Sequence, residues 1–304
     1  MRIWVTGASG FVGRHFVSRL EGEDHEVFAS DLELDVTLAD EVAAALRRTR
    51  PSAILHLAAE SSVTRSLANP AGCFRANFLG SRNLLMALAR HAPEARLLLV
   101  GSADQYGTRS PGAPPLRETD PLYPRSPYAR SKAAAEGLGN LAFESGLDVV
   151  RVRPFNHTGP GQSDAFVVSS FARQLAEIER GLREPILRVG NLQSIRDFLD
   201  VRDVVEAYLG LLNPDVPADI YNIASGSSVR VGDVLQKLLD HTEVRPEIQP
   251  DPERMRPTDI QIGDGSRLEA ATGWVPQVPL SDTLLGVLNY WRARVSEPGT
   301  PVRH

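Results

Sequence analysis

Tyr128 and Lys132 stand four residues apart in Ser126-Pro127-Tyr128-Ala129-Arg130-Ser131-Lys132. Ser126 suits a helix N-cap and Pro127 a first turn, so the run predicts a helix with both side chains on one face. An ammonium beside a phenol favours the phenolate. The pair therefore predicts a tyrosine pKa drawn from about 10 toward neutrality, as a general acid or base requires. Thirty-one of the 33 basic residues are arginine, leaving only Lys132 and Lys237 as lysines. Coding bias accounts for most of that imbalance, yet Lys132 sits where a planar, permanently charged guanidinium would be a poor substitute. Ser102, in Gly101-Ser102-Ala103-Asp104-Gln105-Tyr106-Gly107, follows an apolar run. A serine ending a strand is ordinarily a turn residue. The C-terminal edge of a parallel sheet is also where ligands bind, so this hydroxyl can reach the same substrate oxygen as Tyr128.

A second constellation opens the chain: Arg2–Thr6 runs into Gly7-Ala8-Ser9-Gly10-Phe11-Val12-Gly13 and then a helix. Gly7 permits the tight turn, Gly10 lets backbone approach a pyrophosphate, and Gly13 lets the helix pack on the sheet. A glycine-rich turn alone can be a plain strand-to-helix connection. Its place in an N-terminal βαβ unit is the context a dinucleotide site needs, with phosphates at the helix N-terminus. Asp31 ends the second apolar run, where a carboxylate hydrogen-bonds a ribose 2′-hydroxyl and repels a 2′-phosphate. That favours NAD, while nearby Arg14 keeps NADP open. Leu57-Ala58-Ala59 close the third run with residues that let a dinucleotide lie close, and His56 reads as a packed strand residue.

These groups need a frame. Apolar runs at Arg2–Thr6, Glu26–Ser30, Ala53–Leu57, Arg96–Gly101 and Asp148–Arg153 alternate with helical patterns at Phe11–Leu20, Leu38–Arg48, Pro70–His91 and Pro127–Glu144. Such alternation predicts an α/β fold, a Rossmann-type doubly wound parallel sheet, with a smaller C-terminal α/β substrate domain. The expected division is a dinucleotide domain over 1–163 that 200–224 rejoins, a substrate domain over 164–199 and 225–296, and a flexible tail at 297–304. A net charge of −5 and a single cysteine, Cys73, argue against nucleic-acid binding and exclude an internal disulfide. Scattered histidines suggest no metal site, and no apolar run approaches a membrane span. Without a signal-like N-terminus the expected location is cytoplasmic.

The glycine turn, Ser102 and the Tyr-x-x-x-Lys pair, in this order and spacing, resemble the extended short-chain dehydrogenase/reductase family of sugar-nucleotide epimerases, dehydratases and reductases. The likeness covers nearly the whole chain. The run from Arg153 to Gln162, then Val189-Gly190-Asn191-Leu192, then Arg196-Asp197-Phe198 through Val204, are similar to the GDP-mannose 4,6-dehydratase and GDP-4-keto-6-deoxy-D-mannose reductase branch. The reductases are the nearer likeness, the chain being shorter than typical dehydratases of that branch. The resemblance implies a catalytic set of Ser102, Asp104, Tyr128 and Lys132. It implies cofactor contacts from Gly7, Ser9, Gly10, Phe11, Val12, Gly13, Asp31, Asp35, Val36, Leu57, Ala58, Ala59 and Asn77, and from Tyr128, Lys132, Pro154 and His157. It implies substrate contacts from Ser61, Asn156, Gln162, Val167 and Asn191, with Arg196 and Arg256 holding a diphosphate away from the redox centre. It further implies a homodimer through the helices Pro70–His91 and Pro127–Glu144.

Three activities are compatible with these residues. A reductase of the C4 ketone of a GDP-4-keto-6-deoxyhexose, using NAD(P)H, needs only one proton donor. The second is 4,6-dehydration or 4-epimerisation with tightly held NAD(P), of which dehydration must also remove a C5 proton and expel the C6 hydroxyl, calling for a carboxylate base and extra acid help. Ala103 can donate nothing, and the carboxylate of Asp104 occurs in both branches and does not decide. A non-catalytic dinucleotide-binding scaffold is the third, and the intact Ser102, Tyr128 and Lys132 argue against it.

Overall fold

The structure, a computed structural model, describes residues 1–110, 112–255 and 258–295. Arg256 and the tail at 297–304 therefore lie outside the described residues. The chain runs β1 (Arg2–Thr6), α1 (Phe11–Arg19), β2 (Glu26–Ser30), α2 (Ala39–Thr49), β3 (Ala53–His56), α3 (Val63–Ala68), α4 (Pro70–Phe74), α5 (Gly80–His91), β4 (Arg96–Val100), α6 (Pro127–Glu144) and β5 (Val149–Pro154). It continues through β6 (Asn156–Thr158), α7 (Val167–Glu179), β7 (Ile186–Val189), β8 (Ile195–Arg196), β9 (Phe198–Asp200), α8 (Val201–Leu211), β10 (Ile220–Ile223) and β11 (Val229–Arg230). It ends with α9 (Val231–Asp240), β12 (Glu247–Pro250), β13 (Ile260–Gln261), α10 (Ser266–Thr272) and α11 (Leu280–Arg294).

Side chains on a strand alternate between faces, and here both faces are apolar. Ile3 and Val5 of β1 pack with Phe16 of α1 and Val204 and Tyr208 of α8. Trp4, between them, packs on the opposite face with Leu46 of α2 and Leu88 of α5. The result is a six-stranded parallel sheet in the order β2-β1-β3-β4-β5-β10, with helices on both sides. Chain direction across the sheet reverses between β1 and β3, and the crevice at such a switch point is where ligands bind in open α/β sheets. A separate core forms in the second half, where α7, α9 and α11 bury Phe171, Leu235 and Trp291 against Leu187 of β7. Among the described residues no helix is long and apolar enough to cross a membrane.

One expected helix is interrupted. Pro70–His91 is α4, a π-turn at Arg75–Leu79, and α5. The widened turn keeps Asn77 buried, where its Oδ1 accepts the Glu60 N–H (2.7 Å) and its Nδ2 donates to the Glu60 carbonyl (3.0 Å) and Ser131 Oγ (2.9 Å). Single π-turns of this kind occur frequently at functional sites.

Candidate active site

The glycine turn is built as its residues dictate. Gly7 has φ +70°, and a Cβ on it would stand 2.7 Å from the Ala58 nitrogen at the end of β3. A Cβ on Gly13 would stand 2.4 Å from the Gly7 carbonyl oxygen, so α1 can lie this close to the turn only with glycine. No side chain caps α1, which leaves its first N–H groups and its dipole for an anion. Asp31 faces the same turn: its Oδ2 accepts the Ser9 N–H (2.6 Å) and its Oδ1 the Leu32 N–H (2.9 Å). Arg14 spans two loops, donating to the Ser9 carbonyl (2.6 Å) and the Gly161 carbonyl (3.4 Å). Phe11 stacks on His157 with centroids 6.2 Å apart. His157 Nδ1 donates to the Phe155 carbonyl at 2.9 Å, and burial lowers its pKa, which leaves Nε2 as an acceptor. A turn a side chain would fill, a free helix end and a carboxylate at β2 fit a nicotinamide dinucleotide.

The cofactor-side residues divide by what they touch. Asp35 Oδ1 accepts the Thr37 N–H at 2.8 Å, and the Val36 carbonyl accepts from Asn83 Nδ2 at 3.1 Å, between β2 and α2. Leu57, Ala58 and Ala59 are half-buried at the mouth beyond β3, and Pro154 is buried at the end of β5. Both polar atoms of the Asn77 side-chain amide are engaged within the protein, tying the loop after β3 to α6. His56 is packed, with Nδ1 2.8 Å from Thr6 Oγ1, and burial drives its pKa to about 3.

At the end of β4, Ser102 caps a short 3₁₀ turn, its Oγ accepting the Asp104 N–H at 3.1 Å. The N-terminus of α6 is fixed twice. Ser126 Oγ accepts the Ala129 N–H (3.0 Å), and the Tyr128 N–H donates to Ser66 Oγ of α3 (3.3 Å). Tyr128 and Lys132 share a helical face as expected, but the electrostatics differ from the expectation. The phenol's pKa is raised, first by burial and then by the Asp104 charge, against a hydrogen bond with Ser102 that pulls it down. Lys132 Nζ instead donates to the Val100 carbonyl at 2.8 Å, and burial lowers its pKa to about 8. Burial thus governs the phenol, whose pKa is pushed up rather than drawn toward neutrality.

On the substrate side, Asn156 Nδ2 is buried without a hydrogen-bond partner among the described residues, a donor that a bound ligand would satisfy. Gln162 is turned inward, donating to the His157 carbonyl (2.8 Å) and accepting from Thr158 Oγ1 (2.7 Å), so it stiffens this loop. Ser61 and Val167 are exposed, and Asn191 Nδ2 donates to Thr258 Oγ1 at 2.9 Å. Arg196 pairs with Asp259 (2.7 Å), and its charge is felt at Asp104. β8 pairs with β13, and Gln261 opposite Arg196 donates to Asp104 Oδ1 at 3.4 Å. Burial raises the Asp104 pKa, while Gln261 and the Arg196 charge oppose the rise. Gln261, in a two-residue strand, left no sequence signal. Arg254, which donates to Ser170 Oγ at 2.8 Å, was legible only as a neighbour of Arg256. The described residues hold no cluster suited to a metal ion.

A parallel sheet with a dinucleotide cradle at its switch point, faced by serine, tyrosine and lysine, defines a nicotinamide-dependent oxidoreductase of the extended short-chain dehydrogenase/reductase class. Residues 31–285 match the family described as GDP-mannose 4,6 dehydratase. The chain is 39% identical to GDP-6-deoxy-D-mannose reductase of Pseudomonas aeruginosa, across 97% of this chain and 99% of that protein. Among solved structures it resembles RMD from Pseudomonas aeruginosa complexed with NADPH (TM-score 0.88, 37% identity, 96% of this chain and 99% of that one). It also resembles the UDP-glucose 4-epimerase of Thermus thermophilus in complex with NAD (TM-score 0.86, 29% identity, 96% and 99%). The chain belongs to the GDP-mannose 4,6-dehydratase family.

Proposed function

We infer that the protein reduces the C4 ketone of a GDP-4-keto-6-deoxyhexose to a GDP-6-deoxyhexose of the GDP-D-rhamnose type, with NAD(P)H as reductant. The observation that carries this reading is the Tyr128 phenol hydrogen-bonded to Ser102 at the C-terminal edge of the sheet, one proton donor placed where a ketone oxygen would lie. A reduced nicotinamide held by the Gly7–Gly13 turn would supply the hydride. Tyr128 Oη gives its proton to the C4 oxygen, and the Ser102 hydroxyl donates a hydrogen bond to that same oxygen. Lys132, one helical turn along, places a positive charge near the phenolate left behind. Asp31, facing the cofactor cradle, favours NADH over NADPH.

Arg196 suits the substrate's diphosphate, and Asn156 and His157 suit the sugar. A cleft of about 570 Å³ among α7, β7 and α11, lined among others by Asp164, Ser170, Gln174, Arg188 and Arg254, suits the nucleoside end. Arginine donors match the O6 and N7 acceptors of guanine, which supports GDP over UDP. A homodimer through α4, α5 and α6 is supported by the exposed Phe74, Met86, Leu141 and Phe143. The chemistry, on nucleotide sugars with a reduced nicotinamide, suits the cytoplasm.

A second reading, 4,6-dehydration or 4-epimerisation with tightly held NAD, draws support from Asp104, whose raised pKa suits proton transfer elsewhere on the sugar. Incubation with GDP-mannose and with a panel of nucleotide-linked 4-keto-6-deoxy sugars, following the absorbance of NADH and NADPH, separates the readings. Stoichiometric oxidation of the added reductant with the GDP sugar is expected. Conversion of GDP-mannose without net change in the cofactor would overturn reduction in favour of the second reading.

A further inference from the structure

Behind Ser102 lies a buried polar network that no step above uses. Gln105 is fully buried, its Oε1 accepting the Ser102 N–H at 3.0 Å and its Nε2 donating to Glu136 Oε2 at 2.7 Å. Arg153 grips the same carboxylate twice, Nε to Oε2 at 2.9 Å and a terminal nitrogen to Oε1 at 2.5 Å. Glu136 continues the face of α6 that carries Tyr128 and Lys132, four residues further on. Gly101 admits the amide, since a Cβ there would stand 2.6 Å from Gln105 Oε1. On its far side Arg153 donates to the Tyr106 hydroxyl, which donates to Asn222 Oδ1 of β10, both at 2.7 Å.

A buried ion pair is a poor source of stability, because desolvating both charges offsets most of their attraction and an apolar replacement is often as good. Geometry gives this one a use. Its carboxylate fixes the Gln105 amide, and that amide fixes the backbone at Ser102. The carboxylate itself is carried on the helix that carries Tyr128. We propose that Gln105, held by the Glu136–Arg153 pair, is the positioning residue that sets the Ser102 hydroxyl against the Tyr128 phenol. The proposal rests on Ser102 and Tyr128 acting together in the reduction inferred above.

The test is a double-mutant cycle on the full-length protein, reading kcat, KM and melting temperature for wild type, Gln105→Met, Ser102→Ala and the double variant. Methionine matches glutamine in length and leaves the Glu136–Arg153 pair intact. Misplacing a reacting group by a fraction of an ångström lowers kcat by about 10–100-fold, so Gln105→Met should do this with KM within about threefold. In the Ser102→Ala background the same change should cost less than about threefold, because the group it positions is gone. Equal losses in both backgrounds, a loss carried by KM, or an unchanged kcat would each overturn the proposal. If Ser102→Ala and Tyr128→Phe both leave turnover intact, the reading of the site itself fails instead. Should Gln105→Met not fold, Gln105→Asn, a methylene too short to reach both Ser102 and Glu136, gives the same reading.

Discussion

Lys132 should make the protein less stable than it could be. Its side chain is buried, and burial lowers its pKa from 10.5 to about 8. At pH 7 the lysine is protonated in both the folded and unfolded chain, so the full cost of burying the charge is present. A shift of that size corresponds to about 3 kcal/mol. Lys132→Met removes that cost but leaves the Val100 carbonyl, which accepts from Nζ at 2.8 Å, without its donor, a loss of about 1–2 kcal/mol. The variant should therefore be about 1–2 kcal/mol more stable at pH 7, raising the melting temperature by about 2–6 °C, while losing activity. Between about pH 8 and 10.5 the unfolded wild-type chain keeps a proton that the folded protein has shed. Wild-type stability therefore rises with pH relative to the variant across that window. Near its upper end the variant should become the less stable of the two. Thermal unfolding of both proteins at neutral and alkaline pH reads this directly. A variant less stable at pH 7, or a stability gap that ignores pH, would refute the reasoning.

Tyr128→Phe should preserve fold and cofactor affinity while lowering kcat by about 10²–10⁴-fold, and near-normal turnover would remove Tyr128 from the mechanism. Comparing kcat/KM for NADH and NADPH should favour NADH, because Asp31 holds a negative charge at the cradle. A tenfold NADPH preference, about 1.4 kcal/mol the other way, would contradict that reading. Arg196→Ala should weaken GDP binding by losing charge-assisted bonds of about 1.5–3 kcal/mol and leave NADH titrations unchanged. The opposite pattern would mean the two halves are wrongly assigned.

The parallel sheet was legible because strands buried on both faces must be apolar along their length. β1, β2 and α6 begin and end where their residues indicate, and β3 and β4 stop one residue early. The two-residue strands β8 and β13 carry no such signal, because their pairing depends on residues far apart in the chain. Gly7, Asp31, Tyr128 and Lys132 could be placed because each motif contains its own geometry. What the spacing of Tyr128 and Lys132 could not convey is the competition for the ammonium. A carbonyl from β4, 32 residues upstream, captures it, and burial then governs the phenol. The break in Pro70–His91 was hidden for the same reason, since Asn77 answers to Glu60 and Ser131 rather than to its own helix.

The return of the chain to the sheet at β10 has an evolutionary reading. β5 and β10 are hydrogen-bonded neighbours, Pro154 standing opposite Ile223, so the excursion at 155–219 leaves and re-enters the frame at strands about 5 Å apart. A segment tethered at two adjacent points can be lengthened or exchanged cheaply, since doubling a loop costs only about 0.6 kcal/mol in closure entropy. The glycine turn and the tyrosine helix lie before the excursion, which still reaches the frame through His157, stacked on Phe11, and through α8, packed on Ile3 and Val5. New sugar specificities can thus arise between those contacts, at 162–199, without disturbing the frame, which suits a scaffold shared by a reductase and a 4-epimerase.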